Sequence, residues 1–259
     1  MQVIIAVDIG NSSITIGYFT ADGLLVQKNN THPQKSAAEY RRIADKFLLW
    51  NHIEKKQFGV IISSVVSGFS AILEETFRQL APREEVTIIT ASHKMDSGLR
   101  FDVKNPGALG TDRIANAVAA FARHKSPVAV VDFGTATTVT VVDRQASFAG
   151  GAIMPGIGLM NEVLEKGTSK LAKVTPEPPV SALGKDTSGS ILAGLFYGTA
   201  GAVERILSEI ERERDEHFFV VITGGYGPMV ERFIKRPHEI NPSLTLEGLK
   251  ILYEKNRPS

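Results

Sequence analysis

Two short stretches concentrate groups suited to handling phosphate, "DIGNSS" at residues 8–13 and "DFGTATT" at 132–138. In each, a glycine permits a tight turn and close approach of a ligand to the backbone. Exposed N–H groups and Ser/Thr hydroxyls can then donate to phosphate oxygens. The second stretch carries Thr135, Thr137 and Thr138, with Thr140 just beyond. A carboxylate beside a phosphate cradle repels it, so the sensible partner of Asp8 or Asp132 is a cation that neutralises both. The plainer alternative is a pair of ordinary Asx-type turns between strands.

The chain has neither GxxxxGK[ST] nor GxGxxG, and "GGYG" at 224–227 fits neither spacing. Any nucleotide site here works without a P-loop lysine. The next concentration is "NPGALGTDRIANA" at 105–117. Thr111 could cap a helix that carries Asp112 and Arg113. A carboxylate in that position compensates the helix dipole, with Arg113 as a surface partner. Equally, Asp112 could accept a proton from an attacking hydroxyl while Arg113 holds an anionic substrate. Spacing leaves both open.

These groups need elements to position them. β-Branched runs predict strands near 2–8, 12–20 and 23–29, with Asp22-Gly23 as a hairpin signal. Pro33 is expected to open a helix across "QKSAAEYRRIADKFLLW". A strand at "FGVIISSV", a helix near 69–80 and a strand at "EVTIIT" follow. The same pass repeats from "SPVAVVDFG" through "TTVTVVD" and "ASFAGGAIM" to "HFFVVITGG". Val7-Asp8-x-Gly10 sits over Val131-Asp132-x-Gly134, which suggests duplicated α/β halves. A helix at about 111–124 joins them, placing the boundary near 115–126 and the domains at 1–115 and 116–259. The longest predicted helix runs from Ser188 to about Arg214. Its N-terminal half is apolar almost all round, as expected for deep burial or a subunit interface.

Composition narrows the function classes. Hydrophobic residues at 43% and charged residues at 22% describe an ordinary globular protein. With 29 Lys+Arg against 28 Asp+Glu there is no basic field for nucleic acid. No run is long enough to span a bilayer, and Asp8 interrupts the apolar start, so a cytoplasmic protein with no membrane association is expected. Absent cysteine excludes thiolate chemistry, and the six scattered histidines lack HExxH.

Taken together, "DIGNSSIT", "NPGALGTDRIANAVAA", "DFGTATT", "GGAIMPGIGL", "GKDT" and "ITGGYG", in that order, resemble the type III pantothenate kinases of the acetate and sugar kinase, Hsp70 and actin superfamily. The resemblance implies two RNase-H-like (actin-like ATPase) domains, each a mixed β-sheet flanked by helices, with the active site in the cleft between them. It implies phosphorylation of pantothenate at its 4′-hydroxyl by ATP, the first step of coenzyme A biosynthesis. Asp8, Ile9, Gly10, Asn11, Ser12, Ser13, Ile14 and Thr15 fall on the first phosphate hairpin, and Thr135 on the second phosphate contact. Gly110, Thr111, Asp112 and Arg113 fall on the pantothenate motif, with Asp112 as catalytic base. Asp132 falls at a monovalent-cation position (K⁺ or NH₄⁺), and Asp8 serves Mg²⁺, directly or through water. Thr187 falls at a substrate contact supplied by the partner subunit, which implies a homodimer, and "ITGGYG" falls near the adenosine. Three positions depart from the family pattern: Ser12 for threonine, Thr111 for alanine, and Val103 for a tyrosine that touches substrate. Val103 and Thr111 also motivate the alternative of a non-catalytic accessory or regulatory protein. A sugar kinase of the same superfamily would need its own acceptor pattern, and none stands in the sequence.

Overall fold

The computed structural model describes residues 3–54, 57–81, 86–169 and 171–258. Gln2 and Glu85, expected at strand starts, lie outside the described residues. The chain divides into two compact units. The first comprises Met1–Leu99, Lys104–Ala119 and Leu244–Ser259, the second Arg100–Val103 and Ala120–Ser243.

In the first unit, β1 (Val3–Ile9), β2 (Ser13–Thr20) and β3 (Gly23–Asn30) form an antiparallel meander. α1 (Ala37–Trp50), β4 (Phe58–Ser64), α2 (Phe69–Arg78) and β5 (Val86–Thr90) follow, with β4 parallel to both β1 and β5. The sheet order is β3-β2-β1-β4-β5. Helix α1 starts at a capping box rather than at Pro33. The Ser36 hydroxyl accepts from the Glu39 N–H, and the Glu39 carboxylate accepts from the Ser36 N–H at 2.9 Å. Those two bonds satisfy donors that Pro33, four residues upstream of Ala37, leaves untouched. Alternation along β1 and β4 gives the sheet two faces. Ile5, Val7, Ile9, Val60 and Ile62 pack with Tyr40, Ala44 and Leu48 of α1 and Phe69, Leu73 and Phe77 of α2. The opposite face carries Ile4, Ala6 and Asp8 on β1 and Gly59, Ile61 and Ser63 on β4.

The joining helix α3 spans Thr111–His124, as its periodicity predicts. Between β5 and α3 lies the two-residue strand β6 (Arg100–Phe101), which belongs to the second unit. There β7 (Val128–Phe133), β8 (Ala136–Val142), β9 (Ser147–Pro155), α4 (Ile157–Gly167), α5 (Thr187–Arg214), β10 (Phe219–Thr223), α6 (Gly227–Val230) and β11 (His238–Ile240) follow in turn. The sheet order is β11-β10-β7-β8-β9-β6. Without the edge strand β6, this repeats the first sheet strand for strand, with the same antiparallel meander and the same parallel pairings. The duplication suggested by two Val-Asp-x-Gly motifs is therefore present in the topology. The apolar half of α5 is largely core: Ile191, Leu195, Phe196, Ala200, Val203 and Leu207 pack with Val131, Phe133, Val139 and Val220.

The last helix, α7 (Leu244–Asn256), belongs to the first unit rather than to a second domain running from 116 to the end. It lies against β1 and β4. Gly59 accommodates it, because the Tyr253 ring fills the space a β-carbon would take. Gly248 likewise abuts the Ala115 carbonyl of α3.

Candidate active site

Within the first unit, Asp8 is the penultimate residue of β1 and half-buried. The loop that follows is tight: the Gly10 N–H donates to the Ser13 carbonyl at 3.0 Å. Thr31, just past the end of β3, braces it from one side, its N–H donating to the Ser12 carbonyl at 3.2 Å and its hydroxyl to the Gly10 carbonyl at 2.6 Å. With three of the loop's carbonyls engaged inward, the exposed tip at Asn11 and Ser12 suits an anion. Ile9 and Ile14 are fully buried, so they can serve a ligand through backbone groups alone. Ser13 and Thr15 are half-buried on β2, and Thr15 pairs with Asp8 across the ladder.

Sequence reasoning missed Ser63. It sits opposite Asp8 on the parallel strand β4, fully buried. Its hydroxyl lies 3.4 Å from Asp8 Oδ1 and 2.7 Å from the Thr111 hydroxyl. Thr111 is thus the first residue of α3 and bonds across to β4 instead of capping its own helix. This contact brings the first phosphate hairpin and the Gly110–Arg113 motif together, though about 100 residues separate them in sequence. The signal that could have found Ser63 is a hydroxyl at the end of an otherwise apolar run, "VIISS".

Asp112 follows Thr111, and its Oδ1 accepts from the Arg113 N–H at 2.8 Å. Gly110 leaves it room, since a β-carbon there would meet the same oxygen. Burial holds the Asp112 carboxyl above the usual carboxylate range, against the lowering pull of the Arg113 N–H and charge. Burial also lowers the Arg113 guanidinium, while Asp112 opposes that shift. A carboxylate raised toward neutrality beside a guanidinium is suited to taking a proton and holding an anion.

In the second unit, Asp132 is the penultimate residue of β7, the position Asp8 holds on β1. Its carboxylate rests in a backbone cradle. A β-carbon at Gly134 would stand 3.1 Å from Asp132 Oδ1, and one at Gly224, whose φ is +90°, would collide with the same oxygen. The Tyr226 N–H donates to the Phe133 carbonyl and the Gly156 N–H to the Thr135 carbonyl, each at 3.0 Å. "DFGT", "PGIG" and "TGGY" therefore meet around one strand end. One carboxylate set between two glycines carries a single negative charge, which matches a monovalent cation better than a divalent one. Among the described residues no group of three His, Cys, Asp or Glu could hold a metal. Of the four threonines, Thr135 alone is exposed. Thr138 is half-buried, and Thr137 and Thr140 are 1% exposed, out of a ligand's reach.

Thr187 is the exposed first residue of α5, behind the N-cap Asp186. It lines a cavity of about 980 Å³ with Lys185, Pro155, Leu159, Met160 and Val163. Val103 lies near Gly150 in the second unit.

A sequence model of type III pantothenate kinases matches residues 4–209. The chain is 36% identical to the type III pantothenate kinase of Anaeromyxobacter dehalogenans (strain 2CP-C) over 259 residues, 98% of this chain and all of that one. It is 33% identical to that of Geotalea daltonii over 99% of this chain and all of that one. Among solved structures it superposes on the ethanolamine utilization protein EutJ of Carboxydothermus hydrogenoformans with a TM-score of 0.58 and 15% identity, covering 97% of this chain and 90% of that one. A putative 2-dehydro-3-deoxygalactonokinase of Sinorhizobium meliloti gives 0.58 at 14% identity, covering 99% and 97%. These likenesses establish the fold as the doubled RNase-H-like arrangement of actin-like ATPases and sugar kinases. With the motif residues brought together in each unit, and with full-length relatives sharing a third of its sequence, the chain belongs to the type III pantothenate kinase family.

Proposed function

We propose that the chain performs its family's reaction, transfer of a phosphoryl group from ATP to the 4′-hydroxyl of pantothenate, with Asp112 as the general base. The supporting observation is the contact chain from Asp8 through Ser63 to Thr111, which sets a phosphate-type loop beside a half-buried carboxyl held above its ordinary range. Asp112 takes the hydroxyl proton as the oxygen attacks the γ-phosphorus in line. Arg113 and the N–H groups after Gly110 hold the substrate's anionic end. Loop 8–15 in the first unit offers N–H and hydroxyl donors to phosphate, and Thr135 in the second offers its exposed hydroxyl. Asp8 would hold Mg²⁺ and Asp132 would hold K⁺ or NH₄⁺, and these ions would supply positive charge against the charge developing on the phosphoryl oxygens. The non-catalytic alternative finds no support in an acid–base pair kept intact at 112–113.

A coupled ADP-release assay with pantothenate against a panel of sugars, run in K⁺ and in Na⁺, tests this reading. Release that requires pantothenate and rises with K⁺ is expected, and release with sugars alone would sink the acceptor assignment. Asp132→Asn, which removes the charge while keeping the side chain's shape, is expected to abolish the preference for K⁺. A retained preference would remove the cation from Asp132.

The partner-supplied Thr187 makes the active species a homodimer. Leu159 and Val163 are 42% and 59% exposed beside the cavity that Thr187 lines, an apolar face suited to a second copy. Sedimentation is expected to give twice the chain mass, and Val163→Asp the single mass with a raised KM for pantothenate. A monomeric, fully active wild type would end this assignment.

A further inference from the structure

The Ser63–Thr111 contact has a direction. A hydroxyl has one proton to donate, and an ionised carboxylate can only accept. With the Ser63 proton directed to Asp8 Oδ1 at 3.4 Å, the 2.7 Å bond between the two hydroxyls is donated by Thr111. Protons then run Thr111 to Ser63 to Asp8, beginning one residue from Asp112.

We propose that Ser63 and Thr111 are positioning residues, a two-hydroxyl relay that fixes the Asp8 carboxylate and the start of the Asp112 helix against each other. Three features support this. Ser63 is fully buried on a strand locked in register with β1, so its hydroxyl has little freedom. Thr111 is β-branched and restricted at χ1, so the bond it makes constrains the helix as well as the side chain. The second unit repeats the register: Thr223, 2% exposed on the parallel strand β10, stands opposite Asp132 as Ser63 does opposite Asp8. An alanine at 111 could not make the bond, so the relay depends on the hydroxyl this chain carries there. Its value lies in geometry, because reacting groups misplaced by about 1 Å cost on the order of 10²-fold in rate.

The inference rests on the assignments of Asp8 to metal-bound phosphate and Asp112 to proton transfer, and its test separates the two levels. Thr111→Val, Thr111→Ser, Ser63→Ala and the Thr111→Val/Ser63→Ala double variant are compared in kcat, in both KM values, and in the Mg²⁺ concentration giving half-maximal rate. Thr111→Val and Ser63→Ala are each expected to lower kcat about 5- to 30-fold and raise the Mg²⁺ midpoint, with KM for pantothenate within about twofold. Thr111→Ser, which keeps the hydroxyl without the β-methyl, should recover most of the loss, and the double variant should lose no more than a single one, since both cut one relay. Unchanged kcat and Mg²⁺ midpoint in Thr111→Val, failure of serine to restore them, or losses that multiply in the double variant would overturn the relay. Calorimetric titration with ADP and Mg²⁺ needs no turnover and reads the relay separately. Weakened Mg²⁺-dependent affinity in Thr111→Val supports it, and equal affinity overturns it. A wild type that binds the nucleotide yet shows no pantothenate-dependent turnover would count against the proposed reaction instead.

Discussion

Asp112→Asn is expected to lower kcat for pantothenate by about 10²–10⁴-fold, the range for removing a general base, with ATP affinity retained. The substitution keeps the shape and the Oδ1 that accepts from the Arg113 N–H, so what it removes is basicity. It also makes a second, opposite prediction for stability. Burial raises the folded-state pKa of Asp112, so its neutral form is the one the fold favours. That favourable contribution is complete below the unfolded carboxylate pKa of about 3.9 and is lost as pH rises through the raised folded value. At neutral pH the wild type therefore carries a half-buried, partly desolvated carboxylate at a cost that asparagine does not incur. Asp112→Asn should melt higher than wild type at pH 7–8 and lose that advantage near pH 4. The acid limb of the wild-type rate profile should lie above the ordinary aspartate range. Near-normal turnover in the variant would end the assignment, and a lower melting point at neutral pH would contradict the burial argument.

The parts of the site that were legible in sequence are those whose chemistry is local. Asp8 with Gly10, Asp132 with Gly134, and the Gly-Thr-Asp-Arg run each announce a turn, a carboxylate and donors within a few residues. Strand order was legible for a similar reason, since the second pass copies the first. Ser63 was not legible, because its role exists only once β4 pairs with β1 in parallel register, some 55 residues away. Thr111, a threonine at a helix start, could be a cap, and the sequence offers nothing to exclude it. The partner that claims its hydroxyl comes from another strand. Thr137 and Thr140 look like Thr135 in the sequence, and the period of two along β8, with burial on both faces, removes them from the surface. The domain boundary failed on topology: a chain that leaves the first unit and later returns looks, in sequence, like one that has moved on. Gly17 and Gly59, both inside strands, were the available hint, because glycine in a strand interior marks a place where something approaches closely. Leu246 and Tyr253 of the returning helix are what approach.

Ending the chain at Ser243 is expected to prevent folding of the first unit, a larger effect than any single substitution in the site. Leu244, Leu246, Leu249, Leu252 and Tyr253 are all at most 3% exposed. Burying each such side chain contributes about 1.5–3 kcal/mol, so α7 as a whole supplies on the order of 10 kcal/mol. Net stabilities of folded domains are about 5–15 kcal/mol. Removing the helix uncovers the sheet face that carries Ile4, Ala6 and Ile61, and it strips α3 of the Gly248–Ala115 contact and the Thr245 to Asn116 hydrogen bond at 2.8 Å. Since α3 presents Asp112 and Arg113, catalysis should vanish with the fold rather than by loss of any contact to substrate. Leu249→Ala in the full chain gives a graded version, with a cost of about 2–5 kcal/mol and kcat preserved in the fraction that remains folded. Limited proteolysis of the truncated chain should cut first within residues 3–99 and leave 120–243 longer-lived. If the truncated chain melts cooperatively at the wild-type temperature and still turns over pantothenate, α7 is an accessory to the first unit and the burial argument fails.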